Sequence, residues 1–549
     1  MTKQTTLWII LLFFSLNLFS QTKIDFNKEA ITEIMYQHTG DELPGMAVGI
    51  VKDGEIVYEH YIGYANLNHE VKVDQQTRFN IASNAKQYTA LCILKLIEEG
   101  KLKLEDDFRT YLPDLYPNIE EPITISHLLN HRSGIRDYCD LIALTSKTWW
   151  KQFIDNGDVI EMLKAQQDLN FKPGTDYVYS NSNYTVLTEV IKKVSGKDFG
   201  EFALEVFEEL DMPNTAFLTH YMAVVPHKAR PYGNWNGWKD EPVITEVHGD
   251  GALYTTLADQ LKWEQILQDN NGEYLSSELI LQSQAPIENS QDKSYGYGLM
   301  FDQFQDLEYR YHDGVTGAYR ATFLRFPIHN MSIVVMSNSR SVPANYAAWQ
   351  IAFLLLELER ETKTYPANPD KVEKLKQTQE LLGVYKGEEG SFIRITEKEG
   401  SLYREIYQRD PVKLIPEEGG LFEYETIKGL KMNFSQIGKD DQQFTLYMST
   451  QRPSTYKKVS DFPLSDYNKQ ELNTSFINDE TDTEIVIKYL ENDTFSITKN
   501  GRERKANMIL EDYLRMNGYE ITVLRDKDNQ VIGLSVNNAR LRNIRFRKS

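Results

Sequence analysis

Between Met46 and Val51 the chain reads Met-Ala-Val-Gly-Ile-Val without a polar break, and Glu55-Ile56-Val57-Tyr58 follows across Lys52-Asp53-Gly54. Two short apolar runs joined by an Asp-Gly turn predict a β-hairpin. A second pair, Arg320–Phe326 and Met331–Met336, brackets Pro327-Ile328-His329-Asn330. Elsewhere the period is helical. Tyr88, Ala90, Leu91, Ile93, Leu94, Leu96 and Ile97 make a helix apolar around most of its circumference, the pattern of a core helix. Residues 120–270 read as helix and loop, and a further helix is expected over Ala344–Thr362. Strands at both ends with helices between predict one mixed α/β (α+β) domain over residues 27–362, its sheet assembled from both ends of that segment.

Tyr365-Pro366-Ala367-Asn368-Pro369 breaks the pattern and marks a linker over 363–381. Beyond it the chain turns to short alternating strands in two blocks, 382–459 and 460–549, predicting two small antiparallel barrels or sandwiches.

At the other end, Lys3 precedes an almost unbroken apolar run from Leu7 to Phe19, and Ser20 is small enough for cleavage. Residues 1–20 are therefore expected to be a signal peptide, and the mature protein periplasmic or secreted. The run is short for a membrane span, so no stable insertion is expected. With 549 residues, several domains are needed. A net charge of −20 argues against nucleic acid as a partner. The two cysteines, Cys92 and Cys139, read as buried thiols; Cys92, nine residues past Ser83, faces about half a turn round the helix from it.

Ser83 and Lys86 stand three apart at the start of the apolar helix, where i and i+3 share a face. Ser-x-x-Lys arises by chance in long chains, but a lysine on a buried helix needs a reason. Desolvation would lower its pKa and make it a base for a serine nucleophile. A second cluster runs Phe171-Lys172-Pro173-Gly174-Thr175-Asp176-Tyr177-Val178-Tyr179-Ser180-Asn181-Ser182-Asn183-Tyr184. If it is extended, Tyr179 and Asn181 point the same way, with a helix from Tyr184 to Val194. The bland alternative is a helix cap. A third, Tyr311-His312-Asp313-Gly314-Val315-Thr316-Gly317, reads as a glycine-rich entry to a strand, where substrate and backbone can approach closely.

In this order the three clusters resemble the serine β-lactamase and penicillin-binding-protein family, its class C-like branch in particular: Ser-x-x-Lys at Ser83 and Lys86, Tyr-x-Asn at Tyr179 and Asn181, His-x-Gly at His312 and Gly314. Residues 123–134 and 249–256 agree with it. The resemblance implies a transpeptidase-like domain with an antiparallel sheet flanked by helices. It implies Ser83 as acyl-accepting nucleophile, Lys86 and Tyr179 as proton-transfer groups, and Asn181 holding Lys86 and the substrate amide. The N–H groups of Ser83 and Val315 would form the oxyanion hole, with no cofactor. No His-Glu-x-x-His or paired Cys-x-x-Cys suggests a metal.

Where β-lactamases carry Lys-Thr-Gly, this chain has His312-Asp313-Gly314. A mostly neutral histidine should bind substrate carboxylates less well. The esterases and D-aminopeptidases of the family carry His-x-Gly, and the D-aminopeptidases add two β-barrels. Asp313 would either meet a substrate ammonium or, by strand alternation, turn away into a structural ion pair; the second is preferred. The expected activity is hydrolysis of small peptides, esters or cell-wall-derived substrates. A true β-lactamase and a non-turnover penicillin- or cell-wall-binding protein are the alternatives. The β domains would be a stabilising or tethering appendage, or would close the pocket with the loop around Pro416-Glu417-Glu418-Gly419-Gly420. The oligomeric state is left open.

Overall fold

The computed structural model describes residues 27–358 and 378–549, apart from 146, 288–293, 305, 388–391, 407–409, 418–420, 449–450, 460–467 and 517. The leader expected over 1–20 and most of the linker expected over 363–381 lie outside the described residues.

The main sheet has seven antiparallel strands in the order Tyr295–Gly296, Leu299–Phe304, Leu307–Thr316, Tyr319–Phe326, Met331–Ser337, Met46–Lys52, Glu55–Ile62. Met46 pairs with Ser337 on one side and Ile62 on the other, so both ends of the domain meet in one sheet. Asp53 and Gly54 both take positive φ, 52° and 79°, as the two-residue hairpin turn requires. The unbroken apolar run of Met46–Val51 has its reason in two covered faces. Met46, Val48 and Ile50 share a core with the helices Lys28–Tyr36 and Ala344–Leu355. Ala47 and Val51 belong to the opposite core, with the Lys86–Glu98 and Asn181–Ser195 helices. The helix expected to reach Thr362 ends at Leu355.

The Leu299–Phe304 and Leu307–Thr316 strands were not evident in the sequence pattern. Leu307–Thr316 carries polar Glu308, Arg310 and Asp313 among its apolar positions, and Gly314 lowers its strand propensity. His312 therefore lies within a ten-residue strand, not ahead of one.

Each C-terminal block closes as an eight-stranded barrel, Gly383–Gly387 through Gln451–Val459 and Thr474–Asn478 through Ile544–Lys548. The core of the second barrel is continuous with that of the helical region. Val384 and Phe392 of the first barrel pack on Tyr513 of the second.

Candidate active site

Ser83 occupies the short 3-10 turn Ala82–Ala85, which leads directly into the Lys86–Glu98 helix. A 3-10 turn eclipses i and i+3, so the hydroxyl and amine meet as the spacing predicted. Ala82 is held at φ 49°, the left-handed region, while its N–H donates to Asn80 Oδ1 at 2.8 Å. A β-carbon there costs on the order of 1 kcal/mol. The turn leaves Ser83 partly exposed within a segment, Ile81–Leu94, that is otherwise buried.

Lys86 is fully buried, and its Nζ has three neighbours: Ser83 Oγ at 3.1 Å, Asn181 Oδ1 at 2.8 Å and the Asp250 carbonyl at 2.6 Å. Burial pulls its pKa down to about 8, against the opposing pull of Asp250 and Asp137, while Arg540 lowers it further. The geometry suits an amine that has lost its proton. Asn181 Oδ1 and the Asp250 carbonyl can only accept, so they take the two remaining N–H groups. The lone pair is then left for the Ser83 hydroxyl.

The Asn181 amide is oriented by Asp137, whose Oδ2 accepts from Asn181 N at 2.6 Å and Nδ2 at 2.9 Å. That fixes Oδ1 toward Lys86. Asn181 is the first residue of the Asn181–Ser195 helix, so the extended register expected to align it with Tyr179 stops at Ser180. The Pro-Gly cluster is thus both things the sequence offered: a helix start and a site segment. Ser180 takes the cap position, but its Oγ is buried without a partner among the described residues.

The Tyr179 ring lies under Lys86 Nζ, 5.1 Å from its centroid, and against His131, with centroids 4.3 Å apart. Burial raises the phenol pKa, and a hydrogen bond with Ser83 works against that rise. Tyr179 is therefore a phenol at neutral pH.

His312 is 1% exposed. Its Nδ1 is 2.8 Å from the Asp313 carbonyl, which can only accept, so Nδ1 carries the proton. Nε2 then accepts from the Tyr295 hydroxyl at 3.1 Å. Burial and the nearby Lys86 pull its pKa down to about 3, so the ring is neutral. It supports the aromatic floor formed by Tyr179 and Tyr295 and offers no face to solvent. Asp313 turns away from the site, as strand alternation predicted, but it forms no ion pair among the described residues: it accepts from Thr322 Oγ1 at 2.8 Å and from Asn345 Nδ2 at 3.0 and 2.9 Å. A β-carbon on Gly314 would stand 2.2 Å from the Ile81 carbonyl oxygen, so glycine alone lets this strand press on the Ser83 turn. The register with Leu299–Phe304 ends at the pair Met300–Tyr311. From His312 onward that strand edge is clear of a neighbouring strand, and Val315 is 59% exposed there.

Four participants were given no role in the sequence analysis, although His131 and Asp250 lie in the segments 123–134 and 249–256 that agree with the family. His131, fully buried, accepts at Nδ1 from Ser180 N at 3.2 Å and Asn183 Nδ2 at 3.1 Å, leaving its Nε2–H without a partner among the described residues. Asp137 and Asp250 hold the groups around Lys86; the Asp250 carboxylate accepts from Tyr138 O–H at 3.0 Å. The fourth, Arg540, comes from the second barrel. Its guanidinium sits 4.9 Å from the Tyr179 centroid and 3.6 Å from Asp137 Oδ2. Of the closing loop expected around Pro416–Gly420, Glu417 pairs with Lys431 within its own barrel at 2.6 Å, and residues 418–420 lie outside the described set. Cys92 and Cys139 are free and buried; Cys139 Sγ lies 3.5 Å from Asn181 Nδ2.

The family model described as Beta-lactamase matches residues 31–356, more than half of the chain. A D-aminopeptidase of Gluconobacter oxydans (strain 621H) is 27% identical over 328 residues, 58% of this chain and 61% of that protein. A D-aminopeptidase of Brucella canis is 28% identical over 310 residues, 54% of this chain and 56% of that protein. The chain thus spans somewhat over half the length of these relatives. The octameric penicillin-binding protein homologue of Pyrococcus abyssi superposes with a TM-score of 0.55 at 24% identity, covering 78% of this chain and 99% of that one; that likeness is one of fold.

Proposed function

The chain belongs to the beta-lactamase family, and from the geometry of its site we propose that it is a serine acyl hydrolase that cleaves peptide, amide or ester bonds through an acyl-enzyme on Ser83. The observation that carries this reading is the buried Lys86, with two acceptors saturating its N–H groups and the Ser83 hydroxyl 3.1 Å away.

Neutral Lys86 takes the Ser83 proton as Oγ attacks the substrate carbonyl. The tetrahedral oxyanion is received by the N–H groups of Ser83 and Val315, an arrangement typically worth about 3 kcal/mol per donor. Tyr179, kept a phenol, passes its proton to the leaving nitrogen or oxygen and recovers from Lys86 the one that Lys86 took from Ser83, which leaves Lys86 neutral again. Water then attacks the acyl group with Lys86 again as base, and Ser83 leaves with its proton restored. The opposite shifts of the two groups divide the labour: Lys86 is lowered towards neutrality, and Tyr179 is raised. His312 acts by holding Tyr295, and Asn181 by aiming Lys86.

The substrates we propose are small peptides, amides or esters, with D-residues favoured by the likeness to D-aminopeptidases. Export is proposed from Lys3 and the Leu7–Phe19 run alone, and N-terminal sequencing of the mature protein tests it. A panel of p-nitrophenyl esters, D- and L-amino-acid p-nitroanilides and nitrocefin tests the activity. Turnover of esters or D-anilides that Ser83→Ala abolishes supports the reading; dominant turnover of nitrocefin would make the protein a β-lactamase, and no turnover of any would leave a binder.

A further inference from the structure

We propose that Arg540, delivered from the second barrel, is the specificity residue of this site and receives a carboxylate carried by the substrate. The inference rests on the hydrolase reading above and names its substrate class.

The loop that bears Arg540 is built to hold one position. Asn538 Oδ1 accepts from Arg540 N at 2.8 Å and Leu541 N at 2.7 Å. Asn170 clasps the loop from the other side, donating from Nδ2 to the Arg540 carbonyl at 2.9 Å and accepting at Oδ1 from Arg542 N at 2.7 Å. Arg542 pairs with Asp176, three residues before Tyr179, at 2.5 Å. Leu541 is 1% exposed and packs into the shared core. The backbone is thus tied to the very segment that presents Tyr179.

The side chain is treated differently. Its guanidinium lies over the Tyr179 ring, which the Lys86 amine also faces, so two basic side chains flank one aromatic ring. It forms an ion pair with Asp137 at 3.6 Å, beyond hydrogen-bond distance, through an oxygen that already accepts from Asn181 N and Nδ2, and Asp140 also acts on its charge. No N–H of the guanidinium is within hydrogen-bond distance of an acceptor among the described residues, yet the side chain is 39% exposed. An arginine whose backbone is clamped and whose fork of donors is unspent is arranged for a planar anion.

This reverses the consequence drawn from His312. The strand that carries a lysine in β-lactamases here carries a neutral, buried histidine, but positive charge reaches the site from the barrel on the opposite side. A free substrate ammonium beside Arg540 would be repelled, so the favoured substrates are carboxylate-bearing ones over those that present only an amino end.

The test uses the full chain and two matched substrate pairs: p-nitrophenyl hydrogen succinate against p-nitrophenyl butyrate, and N-acetyl-D-Ala-D-Ala against its C-terminal amide. The wild type should prefer the carboxylate member of at least one pair. Arg540→Gln should lower that preference in kcat/KM about tenfold or more, mainly through KM, and Arg540→Lys should restore part of it. Thermal melts identify a Gln variant that has merely lost its fold; in that event the Lys variant and the wild-type preference decide. A wild type indifferent to the carboxylate in both pairs, or a ratio that Arg540→Gln leaves unmoved in both, overturns this inference alone, because turnover persists. A wild type that cleaves neither pair and that a fluorophosphonate does not label at Ser83 overturns the hydrolase reading and this inference together.

Discussion

Lys86 has the environment of a base that works near neutral pH, and its protonation should show in both rate and stability. Rate should rise with pH through about 8, the pKa of Lys86, because only the neutral amine can take the Ser83 proton. A kcat/KM profile over pH 6–10 checks this; a profile flat across that range would contradict it. Lys86→Ala and Tyr179→Phe should each cost on the order of 10² to 10⁴ in rate. The stability sign follows from the same shift. The folded pKa is depressed below the unfolded 10.5, so between about 8 and 10.5 the unfolded chain binds more protons and folding gains as pH rises. Denaturant melts of the wild type and Lys86→Met, compared at pH 7.5 and 10, should show the wild type gaining on the variant by up to about 3 kcal/mol. A constant difference would mean that the amine titrates alike in both states. Ser83, Lys86, Tyr179 and Asn181 were legible because short, local spacings carry them. Arg540 was not, since nothing near it in sequence marks it; only the closure of a barrel brings it to Tyr179. Asp137 and His131 were hidden for a related reason, as a buried carboxylate and a neutral imidazole resemble ordinary polar residues until their partners are known.

Elements matter here for how closely they pack. The strand of His312 lies on the Ser83 turn with no room at Gly314, where a β-carbon would stand 2.2 Å from the Ile81 carbonyl oxygen and 2.9 Å from Asn84 Nδ2. Gly314→Ala should therefore push strand and turn apart, costing about 1–3 kcal/mol of stability and a larger share of kcat than of KM, since Val315 sits next along the strand. Melting curves with steady-state kinetics check it; unchanged kcat would show that the turn and the strand do not need that approach. The central hairpin at Asp53-Gly54 and the buried helix after Ser83 were readable because turn chemistry and apolar period agreed there. The segment around His312 reads in the sequence as the entry to a strand and not as a strand itself, because its glycine and scattered charges mask the alternation. The helix start at Asn181 was obscured because four consecutive residues, Ser180 to Asn183, are all good caps.

At the scale of the whole molecule, the second barrel is structurally continuous with the α/β domain. Arg136, 1% exposed at its side chain, donates from Nη1 to Gln166 Oε1 at 2.9 Å and to Glu480 Oε2 at 3.1 Å, and pairs with Asp168. Its Nη2 also reaches the carbonyls of Arg542 and Asn543, both at 3.4 Å, in the loop that carries Arg540. Calorimetry of the full chain should show the α/β domain and second barrel unfolding together. Arg136→Ala should separate them and destabilise by about 3–5 kcal/mol, because Glu480 and the loop carbonyls lose a buried partner. Two independent transitions in the wild type would contradict this. The presence of two β domains was evident from the shift to short alternating strands. That the second barrel reaches the site could not be read, since docking depends on surfaces from distant parts of the chain.

The central claim is that Ser83 becomes acylated and is then freed by water. Rapid mixing with an excess of p-nitrophenyl ester, quenched at intervals and followed by intact-protein and peptide mass spectrometry, tests it most directly. The account predicts an acyl mass on the peptide containing Ser83, formed before or during steady turnover, lost as substrate is exhausted and absent from Ser83→Ala. An acyl group on any other residue, or a Ser83→Ala protein that keeps roughly a tenth of wild-type turnover, would contradict it.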